Sequence, residues 1–266
     1  MVAERKLVLI LVVFHPGQQE VETLQACLAA LGPEIGYALA INEHRPGEPV
    51  DGLVAGADLV LKDSRNLGYG RAFNRVLRQL AVRGQRQPEW LAALNTDLSW
   101  RPGTMETLLA WLQRQPEVVL AVPQITDATG QPEALCKRDP TVLALLSRRF
   151  WPEWLKPPAL RRYDARYVMA DQDHTRVLDV PYLSGCCMLM RRSALQQIGG
   201  FDESFFLYLE DADLTRSLRL LGRCVHLPVA SVCHRWGRGS HHSWWLTLVN
   251  LQSAWFYFRK WGWRWC

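Results

Sequence analysis

Three acids, Glu210, Asp211 and Asp213, end an aromatic run that begins at Gly200-Phe-Asp-Glu and passes through Phe205, Phe206 and Tyr208. Their place at the start of a predicted helix, over Glu210–Leu221, lets the positive end of the helix dipole keep them ionised. A carboxylate held there beside a pocket suits a general base; simple capping and pairing with Arg216 or Arg219 is the alternative. Asn95-Thr-Asp97 closes the apolar run Trp90–Leu94. One carboxylate at the mouth of a parallel sheet can hold a hard cation that keeps most of its waters and bridges phosphates; capping ahead of Pro102-Gly103 competes with that role. Asn66-Leu-Gly68-Tyr-Gly70-Arg-Ala-Phe-Asn74 places two glycines before a helix, where backbone N–H groups can approach an anion. It is no dinucleotide fingerprint, because Phe73 stands at the third glycine position, and it lacks a P-loop ending. Cys233-His234-Arg-Trp-Gly-Arg-Gly-Ser-His-His242 reads as a mobile loop able to contact diphosphate or metal, without the Cys/His spacing of structural zinc.

These stretches need a scaffold. Leu7–Phe14 is continuously apolar, as in a strand buried on both faces. Arg5 and Lys6 before it imitate a signal peptide, but His15-Pro-Gly stands where a small-residue cleavage site belongs, so a buried first strand explains the run better. Strands are further expected at Tyr37–Ile41, Ala57–Leu61, Trp90–Leu94 and Val118–Val122, alternating with helices at Val21–Leu31, Arg71–Val82 and Thr104–Gln113. Such alternation predicts an α/β, Rossmann-like, mainly parallel sheet flanked by helices. Ligands then gather beyond the strands' carboxyl ends, at Phe14-His15, Asn42-Glu43, Asn66–Gly70 and Asn95–Asp97. Cys136–Asp179, rich in proline and arginine, reads as an irregular insertion or lid. Strand content returns at Val180–Met190, a short helix at Ser193–Ile198, and two short strands at Cys224–Leu227 and Val229–Cys233.

Composition bounds the rest. With 48% hydrophobic and 21% charged residues the chain is globular, not disordered, and no apolar run is long enough to span a membrane. Seven cysteines without a CxxC pair suit a reducing, cytoplasmic compartment. The net charge is +5, yet no acid follows Asp213 while eight Lys and Arg do, so the first 213 residues sum to −3. That basic end carries half of the 12 tryptophans in its last 26 residues. Trp244–Trp263 reads as an aromatic helix, either interfacial at a membrane or packed on the core, with stacking of single-stranded nucleic acid the weaker option.

The order of the motifs resembles a family 2 glycosyltransferase, in particular the bacterial rhamnosyltransferase-like branch of cell-surface polysaccharide assembly. The resemblance runs over residues 7–242: the Asn66–Asn74 block, Leu-Asn-Thr-Asp97, Ser184-Gly185, Gly200-Phe-Asp-Glu, Glu210-Asp-Ala-Asp-Leu214, and His234 with Gly239-Ser240. It implies a GT-A domain over 1–242 (a nucleotide-sugar half, 1–125, and an acceptor half, 126–242), followed by the basic Trp-rich helix, 243–266. It implies inverting, metal-assisted transfer, with Asp211 as catalytic base, Glu210 as its neighbour, and Mg²⁺ or Mn²⁺ on Asp97 and His234. Donor contacts would come from Phe14, His15, Asn42, Asn66, Gly68, Gly70, Asn74, Asn95, Asp97 and Gly185. Asn42-Glu-His-Arg45 departs from the family's usual Asp after the second strand, which leaves uracil and thymine both open and makes a dTDP-L-rhamnose donor an inference from the branch. The expected partners are a nucleotide sugar and a saccharide or lipid-linked acceptor, with possible membrane contact and no nucleic acid. A sugar-phosphate nucleotidyltransferase and a non-catalytic module with a transferase-like fold are the alternatives.

Overall fold

Seven consecutive aliphatic side chains have no polar face to offer water, so Leu7–Val13 (β1) becomes an inner strand, buried at every position. In the computed structural model, which describes residues 4–82, 87–235 and 244–266, β1 lies parallel between β2 (Ile35–Ile41) and β4 (Trp90–Leu94). Helix α1 (Gln18–Ala29) and the short α2 (Asp51–Val54) precede β3 (Leu59–Lys62), which pairs parallel with β2. Helix α3 (Tyr69–Val82) buries Ala72, Phe73, Val76 and Leu77 on this sheet. Then come β5 (Leu98–Trp100), α4 (Thr104–Leu112) and β6 (Val118–Thr126).

The next segment departs from the expected irregular lid. After β7 (Cys136–Lys137) it forms α5 (Val142–Phe150), a 3₁₀ turn (Glu153–Leu155) and α6 (Pro158–Tyr167). Thr141 caps α5 by accepting the Ala144 N–H at 3.1 Å. The buried Asp164 carboxylate of α6 accepts both Ser147 Oγ–H and Lys156 Nζ–H at 2.6 Å, tying the three pieces together. Helix α5 fully buries only the small Ala144 and Ser147; Val142 and Leu145 are half-buried and Leu146 and Phe150 face outward, so its burial does not follow its apolar residues.

Strands β8 (Leu178–Asp179), β9 (Tyr182–Leu183) and β10 (Cys187–Arg191) lead to α7 (Arg192–Gln197) and α8 (Glu210–Leu218), and β11 (Arg223–His234) precedes α9 (Trp244–Trp261). The main sheet has nine strands in the order β3-β2-β1-β4-β10-β6-β11-β5, with β8 also on β11. Strand β10 is antiparallel to both its neighbours, β4 and β6, whereas β6 and β11 run parallel. The two strands expected around Pro228 are one, β11, whose register on β6 shifts between Leu227 and Ser231; proline cannot donate to the ladder, so the strand bulges there.

The C-terminal helix packs on the body. Val249, Ser253, Tyr257 and Phe258 of α9 are buried, and Tyr257 and Phe258 join a second apolar cluster with Tyr182, Phe205, Leu209 and Ala212. Among the described residues no helix is long and apolar enough to cross a membrane, and all seven cysteines are free thiols.

Candidate active site

Strand pairing brings the separated motifs together. In the β10–β4 register Cys187 lies opposite Leu94, so the two strand ends meet and Asn95 N–H donates to the Cys186 carbonyl at 3.0 Å. In the antiparallel β11–β5 register His234 lies opposite Leu98. His234 Nε2 thereby sits 3.1 Å from Asp97 Oδ2, and its Nδ1 is 3.4 Å from Glu133 Oε2. Burial opposes charge on this imidazole, but the two carboxylates outweigh it and hold its pKa above the ordinary value.

The base corner is built from the turn into α8. Tyr208 and Leu209 both take left-handed backbone conformations, with φ of 71° and 62°. Each such residue costs about 1–3 kcal/mol, so the surroundings must hold the turn. Ser253 Oγ–H of α9 donates to the Leu207 carbonyl at 2.8 Å, and Tyr69 N–H of α3 donates to that of Phe206 at 3.1 Å. Lys260 Nζ of α9 lies 2.9 Å from the buried Asp213 of α8, which also accepts the Trp261 indole N–H at 2.7 Å.

The held turn presents Asp211 to a set of donors. Its carboxylate accepts Gly185 N–H and Ala212 N–H, both at 2.9 Å, and Tyr182 O–H at 3.1 Å. Gly185 is required by space, since a Cβ there would stand 2.9 Å from that of Asp211. Strand β7 pairs with β9 so that Lys137 lies opposite Tyr182, and its Nζ–H donates to Ser184 Oγ at 2.7 Å. Burial raises the Asp211 pKa, and Lys137 with the hydrogen-bond donors recovers part of that penalty. Glu210 has no comparable set: its Oε2 is buried without a hydrogen-bond partner, and burial plus the charge on Asp211 push its pKa up to about 8. Burial and mutual repulsion therefore favour a proton on the pair, and the donors around Asp211 favour that proton on Glu210.

The two corners share a cleft system. A cavity of about 420 Å³ is lined by Asp211, Glu210, Gly185, Tyr69 and Asn95. Asn95 and Tyr69 also line a cleft of about 640 Å³ that contains Phe14, Asn42, Asn66, Gly68 and Asp97. Cys186 lies between the corners: burial, then the charges of Cys187, Asp97, Glu133 and Asp211, raise its thiol pKa.

Several expected donor residues are engaged elsewhere. Asn74 donates to the Phe201 carbonyl at 2.8 Å and accepts its N–H at 3.0 Å, and Gly70 packs against the Phe201 side chain. His15 hydrogen-bonds Glu48. Gly68 borders the cleft at φ +80° with the Phe206 carbonyl where a Cβ would be. The glycine block thus docks the Gly200–Leu209 turn on α3, and a protein carbonyl takes the helix N–H that the sequence reading offered to an anion. Asn42 and Asn66 hold one another at 2.8 Å, and Asn42 accepts Leu67 N–H. Lys137, Tyr182, Glu133, Arg148 and Arg149 carried no sequence signal, since each meets the site through contacts distant in the chain. Helix α9, expected either at a membrane interface or packed on the core, borders the site through Trp245 and Asn250. Trp236–His242 of the expected loop lie outside the described residues.

Asp97 and His234 offer one hard oxygen and one imidazole nitrogen, and Asp97 Oδ1 is buried with no hydrogen-bond partner. Among the described residues no group of three or more His, Cys, Asp or Glu side chains is arranged to hold a metal alone. Such a pair fits Mg²⁺ or Mn²⁺ completed by phosphate oxygens and water.

The glycosyl transferase family 2 model matches residues 59–199, just over half of the chain. The chain belongs to that family. It is also 28% identical, over 94% of its length and 86% of the relative's, to the N-acetylglucosaminyl-diphospho-decaprenol L-rhamnosyltransferase of Mycobacterium tuberculosis. The fold is similar to Pyrobaculum calidifontis mannosyltransferase PcManGT in complex with GDP-Man and Mn²⁺ (TM-score 0.61, 14% identity, 97% of this chain and 64% of that one). It is likewise similar to GalNAc-T7 with UDP, GalNAc and Mn²⁺ (TM-score 0.58, 14% identity, 88% of this chain and 44% of that one). This family 2 protein is a glycosyltransferase of the GT-A fold, which sets the nucleotidyltransferase and non-catalytic alternatives aside.

Proposed function

We propose that the protein is an inverting, divalent-metal-dependent sugar transferase, acting on a lipid-linked saccharide at the cytoplasmic face of a membrane. L-rhamnose from dTDP-L-rhamnose is the first donor to test. One observation carries the mechanism: Asp211 and Asp97 border neighbouring clefts that share Asn95 and Tyr69, and His234 sits 3.1 Å from Asp97. The choice of sugar and acceptor follows the mycobacterial relative's name.

Asp211 accepts the acceptor hydroxyl proton as that oxygen attacks the anomeric carbon from the face opposite the nucleoside diphosphate. The bond from the anomeric carbon to the diphosphate oxygen breaks, and its electron pair leaves with the diphosphate. Protonated Glu210 keeps the pair's charge on Asp211, while Tyr182 and Gly185 aim that carboxylate. Asp97 and His234 would hold the ion, which when bound neutralises charge on the departing diphosphate. A second pair of hydrolytic carboxylates is not needed for this displacement.

The test is incubation with a panel of nucleotide sugars and a GlcNAc-diphospho-lipid, with and without EDTA, following free nucleoside diphosphate and the anomeric configuration of the product. Inversion with metal dependence is expected; retention, or full rate in EDTA, overturns the corresponding part.

A further inference from the structure

The cavity that exposes Asp211 is also lined by Arg148 and Arg149 of α5 and by Asn250 of α9. Among the described residues Arg148 has no ion-pair partner, and its guanidinium lies 5.9 Å from the centre of the Tyr167 ring. Arg149 donates to the Thr247 hydroxyl of α9 at 2.5 Å, and Leu143 N–H donates to the Trp265 carbonyl at 3.0 Å, so α5 and the C-terminal segment lie side by side. Large apolar side chains are exposed on both elements: Leu146 and Phe150 on α5, Trp154 in the 3₁₀ turn after it, and Leu248, Leu251 and Trp255 on α9. Of these, Trp154 is 76% exposed. Scattered exposed apolar residues need no explanation, but a cluster on two touching elements beside a cationic cavity does.

We infer that Arg148 and Arg149 form a subsite for the diphosphate that joins the acceptor sugar to its lipid carrier, with the adjoining apolar faces of α5 and α9 taking the first isoprene units. This rests on the lipid-linked acceptor proposed above. Guanidinium groups bind phosphate oxygens in a two-pronged geometry and remain charged at any working pH. One cavity holds a carboxylate for the sugar hydroxyl and cations for the link; Arg148 also lines the neighbouring cleft with Glu133 and His234, which makes the nucleoside diphosphate arm of the test decisive. The C-terminal 53 residues contain no acid that would repel that link.

The test is direct binding of farnesyl diphosphate to the full chain, by intrinsic tryptophan fluorescence and calorimetry, with excess nucleoside diphosphate occupying the donor site. Farnesol and inorganic diphosphate serve as the separate halves of the probe. Wild-type protein should bind farnesyl diphosphate at least tenfold more tightly than either half. Arg148→Gln should weaken that binding about tenfold and leave nucleoside diphosphate affinity within twofold. Arg148 is exposed and without a carboxylate partner, so this variant should fold, and Arg149→Gln is the second arm. Unchanged farnesyl diphosphate affinity in both variants overturns the inference. An equal loss of nucleoside diphosphate affinity also overturns it, by moving the arginines to the donor side. No sugar is transferred in this titration, so a protein that binds the probe yet glycosylates no lipid acceptor refutes the proposed function alone.

Discussion

The two acidic corners of the cleft are built on opposite principles. At the base corner Asp211 is enclosed and already satisfied, with two backbone N–H groups, a tyrosine hydroxyl and a nearby lysine arranged before any substrate arrives. At the donor corner the Asp97 side chain is 27% exposed, and Asp97 and Glu133 share one histidine as their closest cation. Under the proposed function, one corner would take a proton and the other would receive a cation with its phosphates. Preorganisation matters where charge must not reorganise during reaction, and an open site matters where a ligand must enter and leave.

The sharpest way to break this contrast is at the base. Asp211→Asn keeps the shape and removes the proton acceptor. It should lower kcat by about 10²–10⁴-fold while donor affinity, by calorimetry, stays within twofold; comparable turnover would remove Asp211 from the chemistry. Asp97→Ala should act in the opposite way. Metal-dependent donor affinity should fall roughly 10–100-fold, and EDTA should then make no further difference. A donor affinity in the variant that still responds to EDTA would place the ion elsewhere.

Glu210→Gln separates strain from chemistry. In the folded protein the Glu210 pKa is raised to about 8 from an ordinary 4.5, so the folded state holds that proton more tightly than the unfolded chain. Wild-type stability therefore falls as pH rises from about 4.5 to 8 and levels off above, while Gln carries no such penalty. The variant's stability should exceed the wild type's increasingly across that window, by up to roughly 4 kcal/mol at pH 8, read as a Tm difference that grows with pH. A Tm difference independent of pH would show that Glu210 is not the proton holder. The smallest effect belongs to Tyr182→Phe. Loss of the hydroxyl that favours the Asp211 carboxylate raises its pKa, so the acid limb of the kcat–pH profile should move upward by roughly half a unit to one unit. An unmoved limb would break the link between that hydrogen bond and the base.

The contrast also explains what could be read in advance. The strands of the first half announced themselves through continuous apolar runs, and the acids at their ends followed from the rule that ligands gather there. The insertion did not, because Leu143 and Leu146 of α5 face outward and the segment is held by a buried Asp164–Lys156–Ser147 hub. Periodicity reports burial of an apolar stripe and is silent about a helix anchored by polar groups. The glycine block misled for a related reason: glycine marks a close backbone approach without saying whether an anion or another protein segment approaches, and at Gly70 it is Phe201.

Local chemistry along the chain was therefore sufficient to indicate the α/β class and the buried first strand, and it marked Asp97, Glu210, Asp211 and His234 as candidates. Only tertiary structure decided that β10 runs against its neighbours, that Lys137 and Tyr182 stand beside Asp211, and that α9 clamps the turn carrying it. The division has a physical origin. An apolar run or an acidic cluster is a property of adjacent residues, whereas strand direction, the partner of a buried charge and the support of a strained turn depend on contacts between segments far apart in the chain.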